Sequence, residues 1–271
     1  MRNMSMTPDY EVRLLLDAAV VLDTGHELKS AVLSAFGMPA VATRMNVLFL
    51  DTSCKDLCCS NWSARIRRIE NTPSLELTYK KRFDITGGDI DEAITLAHEN
   101  GFDGSDKTVD AHVEWGYMKQ TLVVTRDKTT AAADPATLEL PGTRDARRML
   151  VEEAPERFDN WGCQKWGTCT VETSRIFGPV TVRRSVGMWK GLKLRIEVWS
   201  ILDAAGIGFD YIVEASFRTS SRGKAATEQA NLQAFLMDKG WFVAGDSSKT
   251  QLIMDRYGCY PGLENTDLKE T

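Results

Sequence analysis

The sequence predicts an α+β fold in which a β-sheet takes up most of the chain and helices pack against it. Eight segments alternate apolar with polar or charged side chains, which is the period-two pattern of strands. The stretches between them show the three-to-four-residue apolar spacing of amphipathic helices. With 43% hydrophobic residues and only 8 prolines in 271 residues, the chain can bury a sizeable core, which excludes a disordered or collagen-like protein.

The strands carry charged side chains on one face only. Over 9–16, Asp9, Glu11 and Arg13 share a face, because alternate residues of a strand point the same way. Over 63–69, Arg65 and Arg67 share a face in the same manner. The other strands are predicted over 75–81, 109–117, 120–126, 180–185, 192–199 and 210–218.

Helices are predicted between the strands. In "TEQANLQAFLMDKGW", Leu232, Phe235 and Leu236 form an apolar stripe, and Gly240 is a typical helix stop. The polar, proline-containing segment 127–143 is predicted to be a loop. The predicted helices cover 25–36, 89–100, 144–154, 226–238 and 248–256.

The charge of the chain is acidic overall and basic in one stretch. The net charge of −5 provides no general attraction to nucleic acid or to an anionic membrane. Residues 61–83 nevertheless carry six basic against two acidic side chains, so this stretch has a charge of +4 and the rest of the chain −9. Adjacent strands that pool basic side chains favour a multivalent anion site, although solvated outer faces of a sheet would show the same pattern.

The sequence favours a cytoplasmic protein. Charged residues interrupt the N-terminal apolar stretch, unlike the apolar core of a signal peptide, and no segment has the ~18 apolar residues of a membrane span. The six cysteines match neither a pair of CxxC motifs nor a dense disulfide framework, so we expect reduced thiols.

Several short motifs follow one another along the chain. Asp9, Glu11 and Arg13 on the first strand are followed by "FLDT" at 49–52, "ARIRRIE" at 64–70 and "LELTYKK" at 75–81. The later segments are "HVEWGY", "RR", "VEASF" and "QAFLMDKGW". This order resembles that of the CYTH domain, also called the triphosphate tunnel metalloenzyme fold, which has an ExExK motif on its first strand and then YFDT-like, "LRIR" and "LTLK" strands.

The resemblance implies an eight-stranded antiparallel β-barrel that forms a tunnel, with helices packed outside. Such a domain would span 1–259, and 260–271 would form a flexible tail. A closed barrel also allows strands to turn charged side chains inward without facing a solid apolar core. The apolar faces would then point outward beneath the helices, and they include Tyr10, Val12, Leu14, Ile66, Leu77, Val113 and Val123.

The resemblance further implies a metal-dependent hydrolase of a small triphosphate, either inorganic tripolyphosphate or a nucleoside or other organic triphosphate. Hydrolysis of a phosphoanhydride needs charge neutralisation, a metal ion and an aligned water more than covalent participation by protein. The implied metal is Mg²⁺ or Mn²⁺, held by Asp9, Glu11, Glu197 and Glu214. Phosphate oxygens would contact Arg13, Arg65, Arg67, Lys80, Arg126 and Arg183, with Arg184 as the other choice because only one of these two neighbours can point inward. The expected catalytic residues are Glu11, Glu114 and Arg65.

Departures from the family motif leave other functions open. Asp9 replaces a glutamate, Arg13 replaces a lysine, and Ser216 stands where a second carboxylate is usual. A weakened metal set and the tryptophans suit a barrel that has become a biosynthetic cyclase or isomerase, or a binding protein without hydrolase activity. His112 shares the face of Glu114 and is either an acid or base in the tunnel or a structural histidine.

The expected partner follows from the same reasoning. It is a small phosphorylated or organic substrate, with no nucleic acid and no membrane, and a homodimer is an option that the sequence leaves open.

Overall fold

Nine strands close into a mixed β-barrel. The computed structural model describes residues 6–132, 137–246 and 248–258. Among these residues the barrel order is β1-β5-β6-β4-β3-β2-β7-β8-β9, and β9 pairs back onto β1. A short tenth strand, β10 (Phe242–Val243), pairs with the end of β1. The barrel strands are β1 (Asp9–Leu16), β2 (Thr43–Asp51), β3 (Trp62–Ile69), β4 (Ser74–Asp84), β5 (Val109–Trp115), β6 (Gln120–Ala131), β7 (Arg175–Trp189), β8 (Leu192–Leu202) and β9 (Phe209–Thr219).

The predicted barrel is confirmed, with two corrections. The strand beyond the eight predicted from alternation is β2, which contains most of the "FLDT" segment of the resemblance; its residues 47–51 are all buried, and this hides the period-two pattern. The barrel is also not wholly antiparallel, because β1 and β5 run parallel. This parallel pair aligns Glu11 with Glu114.

The helices cover the outside of the barrel. The predictions over 89–100, 144–154, 226–238 and 248–256 are confirmed within a few residues, whereas 25–36 contains only one short helix. Asp89 caps α4 by accepting the backbone N–H of Glu92 at 2.9 Å, and Ser221 caps α8 through Lys224. The helices are α1 (Ala18–Val21), α2 (Ser30–Ala35), α3 (Asp56–Cys59), α4 (Ile90–Glu99), α5 (Thr143–Glu152), α6 (Glu156–Asp159), α7 (Trp166–Glu172), α8 (Arg222–Asp238) and α9 (Lys249–Gly258).

One predicted loop is partly a strand. β6 continues to Ala131, paired with the start of β4, so the loop predicted from 127 begins later. The predicted tail, 260–271, lies outside the described residues.

The apolar core lies between the barrel wall and the helices, as predicted. Val12 and Leu14 pack with α1, α2 and α8, and Ile66, Leu77 and Val113 belong to the cluster beneath α4 to α7. Val123 is the exception. It pairs with His112 and shares the inner face of β6 with Thr125, so it points into the barrel. The run "LVVT" has no clear alternation from which to choose the face.

The described residues also bear on two further expectations from the sequence, concerning membrane spans and thiols. No helix in the described ranges is both long enough and apolar enough to cross a membrane. The thiols of Cys54, Cys58, Cys59, Cys163 and Cys169 are all free.

Candidate active site

The barrel encloses a cavity of about 340 Å³, and we call it the barrel cavity. Alternate residues of the strands point into it, and the start of α9 contributes Ser248, Lys249 and Thr250. The strands bring together eight of the predicted site residues, namely Glu11, Arg13, Arg65, Arg67, Lys80, Glu114, Glu197 and Glu214.

Three predicted site residues do not line the barrel cavity. Arg183 points outward and pairs with Glu27 at 2.6 Å, while its neighbour Arg184 points inward. Arg126 lies on the outer face of β6, between the inward-facing Thr125 and Asp127. Neighbouring residues of a strand point to opposite faces, so the prediction that Arg183 and Arg126 contact phosphate inside the tunnel is wrong. Arg126 and Asp9 line a separate cavity of about 580 Å³, and the metal role predicted for Asp9 stays a prediction.

A carboxylate–imidazole group forms where β1 and β5 pair. The Nε2 atom of His112 lies 3.4 Å from Oε2 of Glu11 and 3.9 Å from Oε1 of Glu114. One ligand atom from each of the three residues falls within 4.8 Å of the others, so the group could hold a metal ion. The donor set fits a divalent cation, because carboxylate oxygens and a neutral imidazole nitrogen are both metal ligands.

Arg13 links the two carboxylates of this group. Its Nη2 atom lies 3.0 Å from both Glu11 and Glu114. Burial by itself would raise the pKa of Glu11, but Arg13 and His112 hold that pKa down at about 2. The pKa of Glu114 also lies well below its usual range, because Arg13 and Lys80 outweigh the opposing effect of burial. Both carboxylates are ionised at neutral pH.

Lys80 and Arg82 complete the surroundings of Glu114. The Lys80 Nζ atom lies 3.4 Å from one oxygen of Glu114, and the Arg82 Nε atom lies 3.9 Å from the other. Burial lowers the pKa of Lys80 to about 7, although Glu114 works in the opposite direction.

Glu197 and Glu214 form a second acidic pair on adjacent strands. They are register partners of β8 and β9, and Lys249 of α9 contacts both. Glu197 also accepts hydrogen bonds from Arg184 at 2.6 and 2.8 Å and from the Trp199 indole at 2.9 Å. Lys249 and Arg184 hold the pKa of Glu197 at about 2, against the effect of burial. The metal role predicted for this pair stays a prediction, and in this structure the pair binds Lys249.

In the part of the chain that the structure describes, Arg65 lacks the carboxylate partner that most cations of the barrel cavity have. No carboxylate of the described residues lies within ion-pair distance of it, and its buried Nε atom has no hydrogen-bond partner there. Burial lowers the pKa of Arg65 to about 9, and the neighbouring Arg67 adds to this effect. Arg67 itself pairs with Glu76 at 2.9 Å.

Cations outnumber carboxylates in the barrel cavity. The described lining contains nine Arg or Lys side chains and six Asp or Glu side chains. The charged lining residues that were not predicted from the sequence include Arg82, Arg195, Arg218, Asp127 and Lys249. Arg82 and Arg195 continue the alternation of Lys80 and Glu197, so a longer period-two count would have included them. Lys249 has no such signal, because only the tertiary fold brings α9 to the tunnel.

Comparisons with known proteins identify the fold. No protein-family model and no curated protein matches the chain. Among solved structures, HpAC1 from Hippeastrum, a candidate adenylyl cyclase with a dominant triphosphatase activity, has a TM-score of 0.50 and 16% identity, covering 91% of this chain and 95% of its own. The chain has the CYTH-type fold. Further matches are a candidate adenylate cyclase from Bacillus halodurans (TM-score 0.49, 13% identity, 92% and 98% covered) and the PH1819 protein of Pyrococcus horikoshii (0.44, 12%, 91% and 99%).

Most of the CYTH-type motif residues lie where the resemblance predicted. Glu11 and Arg13 of the first strand point into the barrel, as do Arg65, Arg67 and Lys80 of the third and fourth strands. Asp9 departs from the family motif, and His112 lies beside Glu11 in the group that could hold a metal ion.

Proposed function

We propose that this protein is a metal-dependent hydrolase of a small triphosphate, either inorganic tripolyphosphate or a nucleoside or other organic triphosphate. The observation that carries the proposal is Arg65, a half-buried cation whose Nε atom is buried and which has no carboxylate partner among the described residues, in a cavity with surplus positive charge. A buried charge is costly unless it is paired, so the position of Arg65 favours an anionic ligand beside it. The triphosphatase activity named for HpAC1, which has the same fold, agrees with this proposal.

Arg65, Arg67, Lys80 and Arg184 are the groups proposed to contact phosphoryl oxygens. Three guanidinium groups offer paired N–H donors that match phosphate geometry, and the Lys80 ammonium adds a point charge. A polyanion would bring Arg65 its missing partner. It would also favour the charged form of Lys80, whose pKa burial has lowered to about 7.

Glu11, His112 and Glu114 are the proposed metal-holding residues, with Mg²⁺ or Mn²⁺ as the ions expected from the sequence. When bound, such an ion neutralises charge on the phosphoryl oxygens. Glu11 and Glu114 have low pKa values and therefore stay ionised. They are hydrogen-bond acceptors that orient a water molecule, and they are weak bases towards it. Arg65 is proposed to stabilise charge on the phosphoryl group as it is transferred.

The alternative of a cyclase, isomerase or binding protein for an organic ligand is not favoured. Phe49 and Trp199 are the aromatic side chains among the described lining residues, which are mostly charged. Trp62 and Trp189 belong to the apolar clusters outside the barrel wall, and Trp115 packs against one of them. We propose a small phosphorylated molecule as the partner, with no role for nucleic acid or membrane, because the net charge of −5 repels both.

Neighbouring arginines provide a matched test. Arg184→Ala removes an inward cation, whereas Arg183→Ala removes the next residue, which points outward. Phosphate release from tripolyphosphate with Mg²⁺ or Mn²⁺ is expected to fall at least about tenfold in Arg184→Ala, Arg65→Ala and Glu11→Ala, and to stay near wild type in Arg183→Ala. Equal release by the wild type and by Glu11→Ala and Arg65→Ala would refute the proposal.

A further inference from the structure

We propose that the His112 imidazole is a direct metal ligand and that its nitrogen makes the site favour ions such as Co²⁺ or Zn²⁺ over Mg²⁺. This inference rests on the metal centre of the proposed function but not on hydrolysis. It differs from the all-carboxylate site that the sequence implied, because the group that could hold an ion contains His112 and does not contain Asp9.

The burial and orientation of His112 indicate a ligand. The residue is 2% exposed, and its buried Nε2 atom has no hydrogen-bond partner among the described residues. Nε2 points towards the oxygens of Glu11 and Glu114, at 3.4 and 3.9 Å. Two ligands of one ion with bonds of ~2.1 Å can be no more than ~4.2 Å apart, and both distances lie below this limit.

Asp110 supports the ring from the other side. Its Oδ2 atom lies 3.5 Å from Nδ1 of His112 and also pairs with Arg218 at 2.9 Å. Histidine ligands commonly face a carboxylate through the ring nitrogen that does not bind the metal, which fixes the tautomer and leaves the other nitrogen free. This arrangement directs Nε2 of His112 to the shared site.

The imidazole nitrogen of His112 determines which class of metal ion the site prefers. Mg²⁺ prefers oxygen ligands and keeps several waters, whereas imidazole suits the later first-row metals from iron to zinc. One imidazole beside two carboxylates is therefore a mixed set that a transition metal satisfies better than Mg²⁺.

Arg13 competes with such an ion for the carboxylate oxygens of Glu11 and Glu114. Its Nη2 atom is 3.0 Å from the two carboxylate oxygens that lie close to Nε2 of His112. Ion and guanidinium cannot both contact these oxygens at full strength, so the ion weakens the Arg13 contacts. Glu214, 4.0 Å from Nε of Arg13, offers that side chain another partner.

Pulsed EPR of bound Mn²⁺, recorded without any polyphosphate, tests the assignment. The wild type is expected to show magnetic coupling to an imidazole nitrogen, and this coupling should change when histidine alone carries ¹⁵N. His112→Gln should lose the coupling, while His98→Gln, a histidine on the outer helix α4, should keep it. The labelled wild type keeps the test valid even if His112→Gln fails to fold. Bound Mn²⁺ without nitrogen coupling in the wild type, or coupling that persists in His112→Gln, would overturn the assignment.

Metal titrations test the preference. Co²⁺ binding, followed by its visible absorption, should weaken at least about tenfold in His112→Gln, since even residues behind a ligand contribute ~10–100-fold. Mg²⁺ should compete poorly with Co²⁺ in the wild type and better in the variant. Equal competition in both proteins would overturn the proposal. Nitrogen coupling in a protein that releases no phosphate from tripolyphosphate would refute the hydrolase and leave this metal site standing.

Discussion

Two arginines of the barrel cavity should change the stability of the ligand-free protein in opposite directions. Arg13 contacts Glu11, Glu114 and Glu214, whereas Arg65 has no carboxylate partner among the described residues. Replacing each with methionine keeps most of the unbranched stem and removes the charge. We expect Arg65→Met to stabilise the ligand-free protein and Arg13→Met to destabilise it.

The magnitudes follow from the local pairing. A buried charged donor without a partner costs about 1–3 kcal/mol, which Arg65→Met would recover. The lowered pKa of Arg65 also indicates that the cavity disfavours the charged side chain, and this agrees with a gain in stability when the charge is removed. In Arg13→Met, Glu114 and Glu214 keep contacts with Lys80, Arg82 and Lys249, but Glu11 loses its Arg partner, and breaking a buried pair costs ~3–5 kcal/mol. The two variants should therefore differ by at least ~4 kcal/mol in the free energy of unfolding.

Urea unfolding of the ligand-free wild type and of both variants measures this difference. A second series with tripolyphosphate checks the functional side. Ligand at 100 times its dissociation constant adds ~2.7 kcal/mol to the stability of a protein that binds it, and Arg65→Met should lose most of this gain. A loss of stability in Arg65→Met as large as that in Arg13→Met would show that Arg65 is already paired, and the argument for an anion site beside it would fail.

Three further changes test other parts of the structure. Arg68 is fully buried on the outer face of β3 and donates hydrogen bonds to the carbonyls of Thr72, Ser74 and Thr137. Arg68→Met should therefore lower the free energy of unfolding by ~2–4 kcal/mol. Its affinity for tripolyphosphate, measured by calorimetry, should not change. Asp246 accepts three consecutive backbone N–H groups, those of Tyr117, Met118 and Lys119, at 2.6 to 2.8 Å, and Asp246→Ala should cost ~1–2 kcal/mol and speed amide exchange in that turn. Lys249→Met should raise the pKa of Glu197 from about 2 towards its unfolded value near 4.5. A depressed carboxylate pKa adds stability above the unfolded pKa, and this stability is lost as the pH falls through the folded pKa. In urea unfolding, the difference in free energy of unfolding between the wild type and Lys249→Met should thus be constant above about pH 5 and shrink towards pH 2. A difference that does not depend on pH would contradict the pairing of Lys249 with Glu197.

The alternation of charged and apolar residues predicts which residues of a strand share a face, but not which face points inward. On β1, β3 and β4 it places Glu11, Arg65 and Lys80 on the charged face of their strands, and the resemblance to the CYTH domain predicted that this face lines the barrel. The alternation failed where it was ambiguous. Adjacent Arg183 and Arg184 leave the choice of face open, and only the pairing of Arg184 with Glu197 in the register of β7 and β8 decides it.

Other parts of the site depend on contacts between segments far apart in sequence. The group of Glu11, His112 and Glu114 exists because β1 and β5 pair in parallel with Glu11 opposite Glu114. Nothing within either segment specifies this register. Lys249 reaches the barrel cavity from a helix 35 residues beyond Glu214 in the chain, a contact that no strand pattern can indicate.

The distribution of ion pairs in the barrel cavity separates two roles for its charges. On the side of β1 and β5, Glu11 and Glu114 are already neutralised by Arg13, Lys80 and Arg82. On the side of β3, Arg65 is not paired with a described carboxylate. A polyanion placed against Arg65 would draw Lys80 and Arg82 towards itself, because both flank the same space. Glu114 would then lose part of its compensation and gain affinity for a cation. Anion and metal binding should therefore be cooperative, and by linkage each should strengthen the other by the same factor.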